Sequence, residues 1–205
     1  MRQRVIYIIS IALLMVLLMA TACTTPPMST SFPSTVRRVA VLPPYQPGAA
    51  DARADTANAL AGLPSRTIGD LLAEQARVRL AEKGLDVIAP SILKTATGGR
   101  VPTSAQTAAQ MVQDARLDAA AMYIEVRRWE PTPDSRGMKA DGVIVALDAV
   151  MIDPKTGMVL WEAHRPSRPV PVYGVVLTGQ ANVIVAETVM RELLGPIERR
   201  QPGAP

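Results

Sequence analysis

The first 22 residues have the pattern of a secretory signal, which would remove them from the folded domain. Arg2 and Arg4 precede an apolar run from Val5 to Ala20, and small residues continue up to Ala22. A basic start, an apolar stretch and a small-residue cleavage site are the parts of a bacterial signal peptide. The run is also nearly long enough to cross a bilayer, so an uncleaved membrane helix is the alternative interpretation. We expect cleavage after Ala22.

Cys23, which follows the predicted cleavage site, is the only cysteine in the chain. The segment Ala20-Thr21-Ala22-Cys23 resembles a lipobox, with Ala20 at the position where leucine is commonest. The resemblance implies that Cys23 receives diacylglycerol on its sulfur and an acyl chain on its new amino group, so that a lipid bilayer is its first partner. In enteric-type sorting an aspartate after the cysteine retains the protein at the inner membrane. Thr24 therefore favours the outer membrane, facing the periplasm.

Composition limits what the remaining chain can be. Removing 22 of the 205 residues leaves 183, which fits one domain with tails. Without Arg2 and Arg4 the basic side chains fall from 22 to 20 against 18 acidic ones, so the formal charge falls from +4 to +2. No dense basic run with interleaved aromatics is present, and we expect no nucleic-acid partner. A lone cysteine excludes a disulfide within the chain.

The mature chain divides into three parts by composition. Residues 23–35 combine the lipidated cysteine with a Ser/Thr/Pro-rich stretch that predicts a flexible tether. At ~3 Å per extended residue this tether could hold the domain ~30 Å from the bilayer. Residues 36–196 are predicted to form a single α/β domain, and residues 197–205 a disordered tail.

Strand and helix patterns alternate within the predicted domain. Helices between the early strands imply parallel neighbours, whereas a hairpin around Asp153–Gly157 implies antiparallel ones. The strand from Gly142 is apolar on both alternating faces, which predicts cover on both. The fold class is therefore a mixed sheet of about five strands with packed helices, a C-terminal strand hairpin and a C-terminal helix. Predicted strands span 36–42, 85–89, 119–128, 142–152 and 158–162; predicted helices begin at Ser65, Ser91, Thr103 or Ser104, and Thr178.

Several short motifs follow one another in a recognisable order. They are Val39-Ala40-Val41-Leu42-Pro43-Pro44, a helix, a strand closing at Pro90, an Ala-rich strand reaching Tyr123, and Asp153…Gly157…Leu160-Trp161. This order resembles small bacterial envelope lipoproteins whose domain is similar to the amino-terminal domain of TolB and the periplasmic domain of the curli-secretion lipoprotein CsgG. The resemblance implies the same fold over residues 36–194. The loop between Trp129 and Asp141 is too short for pore-forming hairpins, so no pore is implied.

Few residues offer chemistry. His164 is the only histidine, and any Ser-His-Asp or histidine-metal centre would need it. It follows the predicted strand 158–162, where Glu162 could share its face, but two ligands do not make a zinc site. Gly98-Gly99-Arg100 lacks the Lys-Ser/Thr of a phosphate loop and predicts a turn. We expect a surface histidine and no catalytic residue, cofactor or metal.

Three residues of the predicted sheet and its hairpin turn have expected structural roles. Asp148 places a charge inside an apolar strand, so it should lie at an edge or pair with an arginine such as Arg127. Trp161 should anchor the core, and Gly157 should supply a positive φ in the hairpin turn. The other acidic residues are scattered and do not indicate a catalytic pair.

These patterns favour a non-enzymatic, membrane-anchored, periplasm-facing protein that binds an envelope protein or a second copy of itself. The alternatives are an accessory subunit of a transport or secretion machine, an activator of a peptidoglycan synthase, which usually has a longer tether, and a hydrolase. Two surfaces could serve association. One is the strand from Val36, if it lies at a sheet edge. The other is the helix over Val175 to Leu194, whose apolar residues wrap around more than one face.

Overall fold

The computed structural model describes residues 35–47, 66–132, 142–173 and 178–198, which form a mixed sheet with helices on both faces. The predicted α/β class, five-stranded sheet, C-terminal hairpin and C-terminal helix are confirmed. No helix within these ranges is long and apolar enough to cross a membrane. The elements are β1 (Arg38–Val41), α1 (Ile68–Glu82), β2 (Asp86–Val87), α2 (Pro90–Thr97), α3 (Ala105–Asp114), β3 (Ala120–Pro131), β4 (Gly142–Ile152), β5 (Val159–Pro171) and α4 (Thr178–Leu194).

The sheet has the strand order β2-β1-β3-β4-β5. Strands β2, β1 and β3 are parallel, and β3, β4 and β5 are antiparallel. This mixture follows from the connections, because helices separate the parallel strands and a tight turn joins β4 to β5. The first strand therefore lies inside the sheet and cannot accept a partner strand. Among the described strands, the two edges are β2 and β5.

Strand β5 is much longer than predicted. The sequence predicted a strand over 158–162, but β5 runs from Val159 to Pro171 through two further prolines, Pro166 and Pro169. An edge strand tolerates proline because its outward N–H groups need no ladder partner. A register shift between Val145 and Leu147 leaves Pro166 and Ser167 opposite Ala146, as in a β-bulge. The strand therefore continues past its predicted end.

Two cores sandwich the sheet. On one face, α1 and α4 cover a large cluster that includes Trp161, which is 4% exposed, so its predicted role as a core anchor is confirmed. On the other face, α2 and α3 cover a smaller cluster that includes Tyr123 and Ile152. The prediction that β4 is covered on both faces holds at its Ile152 end. Farther along β4, Ile144 and Asp148 remain partly exposed in the described structure.

The helix starts follow from local capping. The predicted N-cap Ser65 lies outside the described residues, and the observed cap of α1 is Thr67. Its Oγ1 accepts the Asp70 N–H at 3.0 Å, while Asp70 Oδ2 accepts the Thr67 N–H at 3.0 Å. This reciprocal capping box satisfies two N–H groups that the helix leaves free. Ser104 caps α3, as one of the two predicted alternatives, and Gly84 follows α1 with a φ of 82°.

The packed domain extends slightly beyond its predicted end. Ile197 was placed in a disordered tail, but it is 1% exposed and belongs to the larger core. Its apolar side chain fills space beside the end of α4, so the domain continues past residue 196. The signal segment 1–22, Cys23 and the tether to residue 34 lie outside the described residues, as do residues 199–205.

Candidate functional site

The outer surface of the α1–α4 layer carries exposed aliphatic side chains. Helix α4 carries seven large apolar side chains, of which Val183 is 39% exposed and Ile184 is 42% exposed. On α1, Val78 is 45% exposed. The prediction that α4 leaves some apolar side chains uncovered is confirmed. The exposed apolar surface of α4 is smaller than the sequence predicts, because only Val183 and Ile184 contribute to it. The other five are buried against the sheet and α1: Val185, Val189, Met190, Leu193 and Leu194.

Polar contacts fix the rotation of α4 about its own axis. Arg79 of α1 donates to Glu187 of α4, with 3.0 Å between Nη2 and Oε1. Trp129 of β3 donates its indole N–H to Asn182 Oδ1 at 3.2 Å. Because these contacts come from a neighbouring helix and from the sheet, α4 cannot turn to hide Val183 and Ile184 while they persist. The exposed pair is a property of the packed fold.

Arg165 of β5 forms a third polar link to α4, and it is 3% exposed. Its Nε donates to Glu192 Oε2 at 3.1 Å, and its Nη1 donates to the carbonyl oxygens of Val145 and Arg168. Burial lowers the pKa of Arg165, an effect that Glu192 opposes. Burial raises the pKa of Glu192, but hydrogen bonds from Arg165 and Arg168 outweigh it and leave that pKa below its ordinary value. A buried cation of this kind requires such partners.

Sequence reasoning did not identify Arg165. The available signal was strand alternation, since Trp161, Ala163 and Arg165 occupy every second position and face the same side. Alternation alone does not reveal Arg165, because the sequence predicts a strand that ends at Glu162. The three prolines after His164 obscured the continuation.

His164 lies in the middle of β5 and is joined to Asp148 on β4. His164 Nδ1 and Asp148 Oδ1 are 2.5 Å apart, and Arg127 forms an ion pair with Asp148 Oδ2. Of the two interpretations of Asp148, pairing with Arg127 is confirmed. The His164 side chain is 54% exposed, as expected of a surface histidine. Glu162 is exposed at the next position on the same strand face.

The described part of this cluster lacks the hydroxyl nucleophile that a Ser-His-Asp triad would place beside the histidine. Among the described residues, His164 forms no hydrogen bond to a serine or threonine hydroxyl; Ser167 instead accepts from Arg128 at 3.3 Å. Tyr123 is the other buried titratable group nearby. Burial, and then the neighbouring Glu125, raise its pKa to about 12, so it stays protonated at neutral pH. The arrangement joins His164 to Asp148 by a hydrogen bond, and Asp148 also orients Arg127.

The remaining features that the sequence raises are metal binding, the glycine turns and the processing residues. The described residues contain no group of three or more His, Cys, Asp or Glu side chains placed to hold a metal ion. Gly98 and Gly99 form the predicted turn after α2, with φ values of 66° and 69°. Gly157 has a φ of 71°, which confirms its predicted role in the hairpin turn. Cys23 and Ala22, the predicted lipidation and cleavage residues, lie outside the described residues.

Comparison with known proteins gives structural likeness without a family. No protein-family model matches the sequence, and no curated protein does. The PelC dodecamer from Paraburkholderia phytofirmans is 18% identical, with a TM-score of 0.49 over 83% of this chain and 95% of that one. Lipoprotein GNA1162 from Neisseria meningitidis is 15% identical, with a TM-score of 0.41 over 76% of this chain and 96% of that one. A minor lipoprotein from Acinetobacter baumannii is 11% identical, with a TM-score of 0.30 over 83% and 100%. At these values the likenesses assign neither a family nor an activity to this chain.

Proposed function

We propose that the protein is a lipid-anchored component of a bacterial envelope membrane whose domain binds another protein, or a second copy of itself, without catalysing a reaction. Cleavage at Ala22 and acylation of Cys23 supply the anchor, and Thr24 favours the outer membrane facing the periplasm. The order of motifs that resembles TolB-like and CsgG-like domains supports the same assignment. The proposal has two separable parts, the anchor and the binding surface.

The exposed Val183–Ile184 pair is the observation that carries the binding part. Both side chains are about two-fifths exposed on a helix whose other large apolar residues are buried. Burying apolar surface contributes about 25 cal/mol per Å², so a partner that covers this pair gains free energy without rearranging the domain. On α1, which packs against α4, Val78 is a further exposed aliphatic side chain. A partner with an apolar face fits this surface.

The test of the binding part uses the full-length protein in a mild detergent. We expect sedimentation velocity to show a species larger than the monomer, or crosslinking in envelope membranes to capture a defined partner. Ile184→Glu should weaken either association, because a carboxylate cannot be buried there unpaired. Gln110→Glu adds the same charge at an exposed position of α3, which covers the other face of the sheet, and is the matched control. The binding part would be contradicted if the wild-type protein sediments as a monomer and crosslinking captures no partner.

The length of the tether limits which class of partner the domain can reach. A reach of ~30 Å from the anchoring membrane confines the domain to that side of the periplasm. This favours an accessory subunit of a transport or secretion machine embedded in the same membrane. An activator of a peptidoglycan synthase in the opposite membrane would need a longer tether. Crosslinking to a protein of the anchoring membrane distinguishes these two possibilities.

A further inference from the structure

A crevice of about 640 Å³ lies where the parallel strands β1 and β2 end. The chain leaves β1 toward α1 on one face of the sheet and leaves β2 toward α2 on the other face. Where the connections of adjacent parallel strands diverge in this way, the carboxyl ends of the strands leave a natural ligand crevice. Its volume falls within the range of small-molecule sites. The topology alone therefore singles out this place in the fold.

The walls of the crevice are mainly apolar. They come from the end of β1, the first turns of α1, α2 and the segment that leads into α3. The principal apolar side chains are Val41, Pro43, Tyr45, Ala73, Leu93 and Val101. Such walls suit the hydrocarbon body of a ligand.

Two cationic side chains, Arg77 of α1 and Lys94 of α2, also line the crevice. In the described part of the chain neither forms an ion pair within 4.0 Å. Asp70, the one carboxylate in the lining, is engaged at the start of α1 by the Thr67 N–H and Oγ1 at 3.0 Å and 2.8 Å. Burial lowers the pKa of Arg77, while Glu74 and Asp70 oppose the shift. Arg77 thus presents a partly buried guanidinium to an apolar crevice, and this guanidinium has no ion-pair partner among the described residues.

We propose that the crevice binds a small organic carboxylate with an apolar body, held by the guanidinium of Arg77. A guanidinium presents two parallel N–H groups that match a carboxylate, and it does so most strongly away from bulk water. Lys94, which is exposed, adds a second positive charge. The apolar walls contact the rest of the ligand. This site is separate from the α1–α4 surface, so it stands or falls independently of the proposed function.

The experiment is a calorimetric titration of the full-length protein in lipid nanodiscs, with the heat from empty nanodiscs subtracted. The probes are 4-phenylbutanoate, 4-phenylbutanol and 4-phenylbutylammonium, which share an apolar body and differ in charge. We expect 4-phenylbutanoate to bind and the other two to bind at least tenfold more weakly. Arg77→Gln should weaken 4-phenylbutanoate by about 10- to 100-fold, the usual range for a hydrogen bond to a charged group.

Two further variants keep the test decisive if Arg77→Gln folds poorly. Lys94→Gln changes an exposed residue and should weaken binding by about 2- to 5-fold, as for an exposed charge pair. Arg191→Gln removes a positive charge from an exposed position of α4, outside the crevice lining, and it should leave binding unchanged. The proposal is overturned if 4-phenylbutanoate does not bind, if the alcohol binds as tightly, if a folded Arg77→Gln variant binds 4-phenylbutanoate as tightly as wild type, or if the Arg191 and Lys94 variants weaken binding equally.

Discussion

Arg165 Nε and Glu192 Oε2 are joined by a 3.1 Å hydrogen bond that connects the edge strand β5 to the C-terminal helix α4. The same carboxylate oxygen accepts from Arg168 Nη2 at 2.8 Å. One acidic side chain of α4 is therefore held by two arginines of one strand. This contact, together with the Arg79–Glu187 pair, sets which side of α4 faces outward. The proposed binding surface depends on it.

Removing the buried arginine should destabilise the domain strongly. Arg165→Ala takes away three hydrogen bonds, including the one to the Val145 carbonyl oxygen. The Val145 carbonyl then loses a buried donor, which costs about 1–3 kcal/mol, while Glu192 is 40% exposed and keeps Arg168 as its partner. Arg168→Ala removes the exposed partner of the same Glu192 and should cost about 1 kcal/mol or less. Urea unfolding of both variants checks this, and equal losses would contradict the assigned role of Arg165.

The Glu192 ion pairs also predict a pH dependence. Because the pKa of Glu192 is lowered in the folded state, its stabilising contribution is present above the unfolded pKa of about 4.3. That contribution is lost as the pH falls through the lower folded pKa. Glu192→Gln should therefore be less stable than wild type at pH 7, and the difference should narrow below about pH 4. Thermal unfolding of both proteins from pH 3 to pH 7 measures the difference, and a constant gap would count against these ion pairs.

The two tryptophans should differ in their contribution to stability. Trp161 is buried in the larger core, and Trp161→Ala should cost about 3–5 kcal/mol by leaving a cavity. Trp129 is partly buried and packs at the margin of the same core. Its substitution by alanine should cost less, although it also removes the hydrogen bond to Asn182. Denaturant unfolding of the two variants decides between this ranking and the reverse.

Asp148 should contribute more to the free energy of unfolding than its hydrogen-bond partner His164. His164→Ala removes one hydrogen bond from a side chain that is half exposed, so the free energy of unfolding should change by less than about 1 kcal/mol. Asp148 is 14% exposed and bridges two strands, so Asp148→Ala should cost more. The non-enzymatic interpretation would have to be abandoned if His164→Ala, in a folded protein, abolished the protein's function.

The sequence predicts this fold best where one local pattern decides the outcome. The predicted strand over 142–152 matches β4 at both ends, because its apolar run is long and is bounded by glycine and by Asp153-Pro154. The helix predicted from Thr178 also matches α4. Strand β5 was underestimated because proline argues against a strand unless the strand lies at an edge. Edge position is a property of the whole sheet, which a local pattern does not contain.

The candidate sites also divide into those that a local sequence pattern predicts and those that depend on the whole fold. Pairing of Asp148 with Arg127 was predictable, since a charge within an apolar strand needs a partner. The crevice beside Arg77 was not, because its walls come from segments more than 50 residues apart in sequence, such as Val41 and Val101. The exposed Ile184 lies between these cases. The sequence shows an apolar helix, but only the packing of α4 against α1 and the sheet decides which side chains stay uncovered.

The amino-terminal mass of the mature protein, purified from bacterial membranes, tests the central claim most directly. We predict that the chain begins at Cys23 and that this residue carries diacylglycerol on its sulfur and an acyl chain on its amino group. Cys23→Ser should abolish both the lipid and cleavage after Ala22, since the thiol is the atom that is modified. A wild-type chain that begins at any other residue, or at an unmodified Cys23, would contradict the account of a lipid-anchored envelope protein.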